Sequence, residues 1–203
     1  MTGPVTIASI VEGDGEVSAL PVLLRRIAGA LSCWDVRIPP PRRVPRSRLV
    51  ARGGVENAVL QASYQLTGAG GILLLIDSDD DCPATLGPEL LRRAREARGD
   101  REISVVLACR EFEAWFLAAA ESLSGHRGLA DPLLPPPNPE GIRGAKEWLS
   151  ARSPTARGTG RPWTRRHWPR SSTWSRPVRR RRPSTSSGVT SNGCCWAAEH
   201  LGR

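Results

Sequence analysis

Lysine is almost missing from this chain: Lys146 stands alone beside 28 arginines. Methionine and tyrosine occur once each and phenylalanine twice. Long hydrophobic runs are absent too: Ile72 to Ile76 has five residues, and none exceeds seven. A membrane span needs about 18 apolar residues, so none is expected. No basic residue precedes the first apolar stretch, MTGPVTIASIVEG, so it does not read as a secretory signal. The five cysteines (Cys33, Cys82, Cys109, Cys194, Cys195) have neither disulfide nor zinc spacing. These absences exclude a membrane protein and a disulfide scaffold, and point to a reduced, cytoplasmic chain. With 203 residues, 39% hydrophobic, 24% charged and a mean hydropathy of −0.31, it has material for one ordinary domain.

Charge is unevenly distributed. The net charge is +9, yet residues 1–150 hold 17 basic against 19 acidic side chains. Residues 151–203 hold 12 against 1, together with four of the seven tryptophans. The composition divides the chain into a domain over 1–152 and a basic, Pro/Arg/Trp-rich tail over 153–203.

In the first part, apolar β-branched runs alternate with helical spacing. Strands are expected at Val5–Val11, Trp34–Ile38, Ile72–Ile76 and Ile103–Ala108. Helices are expected at Glu16–Leu31, Val55–Leu66, Leu86–Arg98 and Phe112–Leu123. A Pro/Arg loop from Pro39 carries Arg42, Arg43, Arg46 and Arg48. Continuous apolar strands between helices predict an α/β fold, with a mostly parallel four-stranded sheet covered on both faces. Ligands bind at the carboxyl ends of the strands in such sheets.

Those ends are acidic. Glu12, Asp14 and Glu16 follow the first strand, Asp77, Asp79, Asp80 and Asp81 the third, Glu111 and Glu113 the fourth. Like charge brought together at one edge is costly, and a hard divalent cation is its usual remedy. The alternative is that the acids complement helix dipoles. Gly13-Asp14-Gly15 starts like G-x-G-x-x-G, but Ser18 takes the third glycine position and the acids would repel a pyrophosphate. Asp77-Ser78-Asp79 starts like a calcium loop, but Cys82 and Pro88 fill the positions of its glycine and glutamate.

The surviving order, strand-E-G-x-x-E then strand-D-x-D, resembles the TOPRIM domain of topoisomerases, primases and overcoming-lysogenization-type nucleases. IVEGDGE, LLLIDSDDD and ACREFEAWFLA also resemble an uncharacterised bacterial family of stand-alone TOPRIM-like proteins, a domain of unknown function often encoded beside an AAA-type ATPase. That resemblance implies a Rossmann-like sheet and Mg²⁺ (or Mn²⁺). It puts the general acid/base role on Glu12, the metal on Asp77 and Asp79, and supporting ligands on Glu16, Glu111 and Glu113. It also implies an ATPase partner and a defence role.

The chemistry agrees with the residue types. Phosphodiester cleavage needs charge neutralisation and a deprotonated water, which carboxylate-held Mg²⁺ supplies. Arg37, Arg42, Arg43, Arg46, Arg48 and Arg52 are placed to track a phosphate backbone, or to form a solvated, Pro-stiffened loop. Cys109, Phe112, Trp115 and Phe116 read as core, His126 as a lone loop histidine. Two function classes stand: a metal-dependent nuclease, and a non-catalytic module that binds an ATPase partner or nucleotide.

The tail has no apolar periodicity, and as written it is expected to be irregular. Its Arg/Trp interleaving is that of a nucleic-acid-binding tail. A second reading comes from the genetic code. In GC-rich codons, reading Pro162–Pro177 from each third base gives V-D-T-A-A-L-A-A-V-F-D-L-E-Q-A, an amphipathic helix. Pro183–Trp196 gives F-D-K-L-W-R-D-V-E-R-L-L-L, a second one. We adopt a single-nucleotide frameshift near Arg152–Pro154, so the tail's positive charge carries no argument about nucleic acid.

Overall fold

The computed structural model describes residues 3–125 and 129–153. The chain falls into two units, 1–172 and 173–203, and all described residues belong to the first. His126 and the tail from Pro154 onward lie outside the described residues, as does the expectation of an irregular tail.

Five strands form one parallel sheet: β1 (Val5–Val11), β2 (Val36–Arg37), β3 (Arg42–Arg43), β4 (Gly70–Asp77) and β5 (Glu102–Ala108). Their order is β2-β1-β4-β5, with β3 pairing farther along β1. Ile10 lies beside Leu74, and Leu74 beside Val105. The helices are α1 (Asp14–Ala30), α2 (Arg46–Val50), α3 (Gly54–Ser63), α4 (Pro83–Ala97), α5 (Ala114–Ala118) and α6 (Ala145–Ala151).

Strand alternation builds two cores. Ala8, Ile10, Ile72, Leu74 and Ile76 pack on α2, α3 and α4. Val11, Leu75 and Ala108 face the other way, onto α1, α5 and α6. Ile10 and Leu74 are fully buried, and each such side chain contributes about 1.5–3 kcal/mol by leaving water. Helices on both faces explain why the strands read as unbroken apolar runs. β4 enters the sheet through Gly70 at φ 150, where a Cβ would lie 2.0 Å from the Thr6 carbonyl oxygen.

The α/β sheet appears as expected, with differences in its elements that include two further short helices, α2 and α6. The second strand shortens to Val36–Arg37, leaving Trp34 80% exposed. Arg42–Arg43, expected in a loop, adds a fifth strand by pairing its backbone with Ile10 and Val11. Its side chains stay exposed, so it has no apolar signature. The helix expected at Leu86–Arg98 starts earlier, at Pro83, whose fixed φ suits a first helical turn. The Phe112–Leu123 helix divides at Ala119 into α5 and a 3₁₀ turn, Ala120–Leu123. Phe112 and Phe116 are buried edge-to-face with centroids 5.2 Å apart, and Trp115 packs on the same cluster. Cys109 falls just past β5 and is only half-buried. Among the described residues no helix is long and apolar enough to cross a membrane.

Candidate functional site

β1 is central, and the chain leaves it in two directions. α1 leads outward to β2 over one face, while α3 returns over the opposite face to β4 on the other side of β1. The β1/β4 boundary is therefore the topological switch point, where the loops diverge and leave a crevice. Glu12 directly follows β1 and Asp77 ends β4, so the two strands that flank the crevice both deliver a carboxylate.

Five acids meet there. Glu16, in the first turn of α1, is 3% exposed, and Glu113, just before α5, is 2% exposed. Asp77 is pushed up to about 7, first by burial and then by the charges of Glu16, Glu113 and Glu12. A hydrogen bond of 2.7 Å from the Phe112 amide to its Oδ1 opposes that rise. Glu12 is also raised, mainly by burial and by Asp79, while the Asp77 amide and Arg46 pull the other way. Its Oε2 is buried without a hydrogen-bond partner. Asp79 sits in the left-handed region at φ 50, an unusual conformation for a non-glycine residue. Its amide donates to the Arg110 carbonyl at 3.2 Å, and the Arg110 amide donates to Ser78 Oγ at 2.9 Å. The loops after β4 and β5 are thereby tied together.

Cations and amides cover the outer side. Arg46 Nε lies 3.3 Å from Asp79 Oδ2, and the same guanidinium pairs with Asp81. It also donates to the carbonyls of Asp77 and Ser78, at 3.1 and 3.3 Å. Four consecutive residues entering α6 form a strap across the β4 and β5 loops. Arg143 pairs with Asp80, and the amides of Gly144 and Ala145 donate to Glu111 at 2.9 and 3.2 Å. Lys146 Nζ lies 2.9 Å from Glu113 Oε1.

A family model described as "Domain of unknown function (DUF4276)" matches residues 11–165, from the end of β1 through every acid of the crevice. The chain belongs to that family. No curated protein and no solved structure matches it.

In this DUF4276 domain the sequence-based site separates into four groups. Glu12, Glu16, Asp77, Asp79 and Glu113 come together at the switch point. Glu111 turns away, both its oxygens held by the α6 amides. Arg42, Arg43 and Arg48 remain exposed, with Arg43 3.3 Å from both the Glu12 carbonyl and Asp14 Oδ1. Arg46 faces inward instead, its side chain only 18% exposed. Among the described residues, no three carboxylate, thiol or imidazole groups stand close enough together to hold a metal ion in this conformation. Arg46 pairs with Asp79, Lys146 with Glu113, and the amides entering α6 with Glu111. Lys146 and Arg143 have no role in the sequence-based site. The isolation of Lys146 as the sole lysine was the one available signal; nothing distinguished Arg143 from the other arginines.

Proposed function

We propose that this DUF4276 domain is a TOPRIM-type, Mg²⁺-dependent (or Mn²⁺-dependent) phosphoryl-transfer enzyme that cleaves nucleic acid. One observation carries the reading. At the switch point Asp77 is pushed up to about 7, first by burial and then by the carboxylates of Glu16, Glu113 and Glu12. Excess negative charge of this kind is what a hard cation with oxygen ligands relieves. The donor set is all carboxylate, and the buried, unpartnered Oε2 of Glu12 supplies an acceptor directed at no protein donor.

Asp77 and Asp79 would hold the ion, with Glu16 and Glu113 in support. Bound there, the ion supplies charge neutralisation for the phosphate oxygens and acidifies a water. Glu12 takes the proton of the attacking water. Its proton affinity is raised, first by burial, which strengthens it as a base. Arg42, Arg43 and Arg48 lie along β3 and α2, next to the Glu12 end of β1, and hold the phosphate backbone there. An AAA-type ATPase encoded nearby is the expected partner, with the pair acting in defence.

The test is metal-dependent cleavage of DNA and RNA by the frame-restored protein with its neighbouring ATPase. Glu12→Gln should abolish turnover and leave metal binding largely intact, since the D-x-D ligands remain. Equal turnover in variant and parent would remove Glu12 from the general-base role.

A second reading is favoured by the pairing of Asp79, Glu111 and Glu113 with Arg46, α6 and Lys146. In it the domain is a non-catalytic module that binds the ATPase or a nucleotide, its acids serving structure. Under that reading no divalent ion changes its stability.

A further inference from the structure

We propose that the surface around Trp34 joins two copies of this chain across a two-fold axis, at the end of the sheet opposite the acidic crevice. The two indoles stack with an offset at its centre, and Asp35 of each copy pairs with Arg25 of the other.

Four of the seven large apolar side chains exposed among the described residues belong to this end of the sheet: Val5, Ile27, Leu31 and Trp34. Trp34 is the largest of them, and its backbone is held on both sides. The amides of Leu31, Ser32 and Cys33 donate to the Ile27, Gly29 and Ala28 carbonyls at 3.0, 3.0 and 2.8 Å, closing the last turn of α1. The Val5 amide then donates to the Asp35 carbonyl at 3.0 Å, just before β2 begins. One side of the indole lies on Gly29, where a Cβ would stand 3.4 Å from two ring atoms. The rest of the ring is left to water. A tryptophan so placed is a large apolar anchor with little freedom to lose on binding.

The neighbours of Trp34 decide the kind of partner. β2 and β3 form this edge of the sheet, and Pro39, Pro40 and Pro41 lie between them without an amide to donate. An added strand is therefore blocked, and a partner must meet side chains. Asp35 is exposed, and among the described residues its carboxylate makes no ion pair or hydrogen bond. Arg25, one turn before Gly29 on the same stripe of α1, is exposed too and reaches only the Pro21 carbonyl, at 3.4 Å. The apolar centre is thus bordered by one unpaired charge of each sign. A surface that carries both is its own complement, because a two-fold rotation brings each Asp35 towards the other copy's Arg25. Two indoles related by the same axis meet through their open faces.

Val5 opens β1 and Glu12 follows its last residue, so the pairing leaves both crevices open and does not depend on what they bind. Four such side chains fall short of the roughly 800 Å² that each partner of a standard interface buries. The pair is therefore weak, in the micromolar range.

The experiment is sedimentation equilibrium of the full chain over a concentration series from low to high micromolar. The parent should pass from the mass of one chain to that of two. Trp34→Ala, a change at an exposed side chain checked by circular dichroism, should weaken the pair about tenfold or more. Asp35→Arg should weaken it as well, by setting like charges opposite each other. Adding Arg25→Asp to that variant should restore the parent's behaviour. A parent of single-chain mass throughout, or a Trp34→Ala variant that pairs as well as the parent, overturns the proposal. A double variant no better than Asp35→Arg alone overturns the reciprocal pairing. If the parent stays single but binds the neighbouring ATPase through Trp34, the surface belongs to an unlike partner and the assignment to a second copy falls.

Discussion

The Oδ1 of Asp77 accepts a 2.7 Å hydrogen bond from the backbone amide of Phe112, joining the last residue of β4 to the segment after β5. Phe112 is itself fully buried against Trp115 and Phe116. The carboxylate is therefore aimed by the core packed on α1 and α5, the face from which Glu16 and Glu113 also arrive. A rigid, half-buried acid among other acids has consequences that can be measured.

The first concerns pH. Unfolded, Asp77 titrates near its ordinary 3.8, and folded near 7. Between those values the native protein holds a proton that the unfolded chain has released. Metal-free stability should therefore fall as pH rises from about 4 to about 7 and level off above. Asp77→Asn should flatten that slope in denaturant titrations across the window. An ion needs the deprotonated carboxylate, so Mg²⁺ should stabilise more as pH rises through 7 and release a proton on binding. A slope unchanged in Asp77→Asn would show that another group titrates there.

A second prediction separates support from ligation. Glu111 accepts the Gly144 and Ala145 amides that open α6. Glu111→Ala leaves two amides without an acceptor and should cost about 1–3 kcal/mol in urea unfolding. Metal affinity should change little. A large loss of affinity with unchanged stability would make Glu111 a ligand instead.

These contrasts show which parts of the molecule were legible in its sequence. β1, β4 and β5 were, because strands covered on both faces must be apolar throughout, and the acids beyond them stand out. The positions of Glu12, Asp77 and Asp79 at or just past the ends of those strands were legible for that reason. β3 was not, since a two-residue pairing with exposed arginines leaves no periodic trace. Neither was the inward turn of Arg46, because a side chain's direction depends on which loop lies opposite it. The strap from Arg143 to Lys146 comes from a segment with no apolar repeat beyond the short α6. Its partners lie at least 33 residues away, at Asp80, Glu111 and Glu113.

A third prediction concerns the tail. If a frameshift near Arg152–Pro154 altered it, restoring the frame supplies two amphipathic helices in place of an arginine-rich stretch. The restored protein should melt several degrees higher than the chain as written. Removing residues 153–203 from the latter should leave any specific activity and ATPase association unchanged or improved. A restored protein that melts no higher would favour a genuine basic tail.

The central claim is that the acids at the β1/β4 switch point bind a divalent cation. It is tested most directly by following thermal unfolding of the full chain as Mg²⁺ or Mn²⁺ is added, in the parent and in the Asp77→Asn/Asp79→Asn double variant. The parent's melting temperature should rise with ion concentration, as mass action requires of a ligand that binds only the folded state. The double variant should not respond. A parent that shows no shift, or a variant that shifts as far as the parent, would contradict the account.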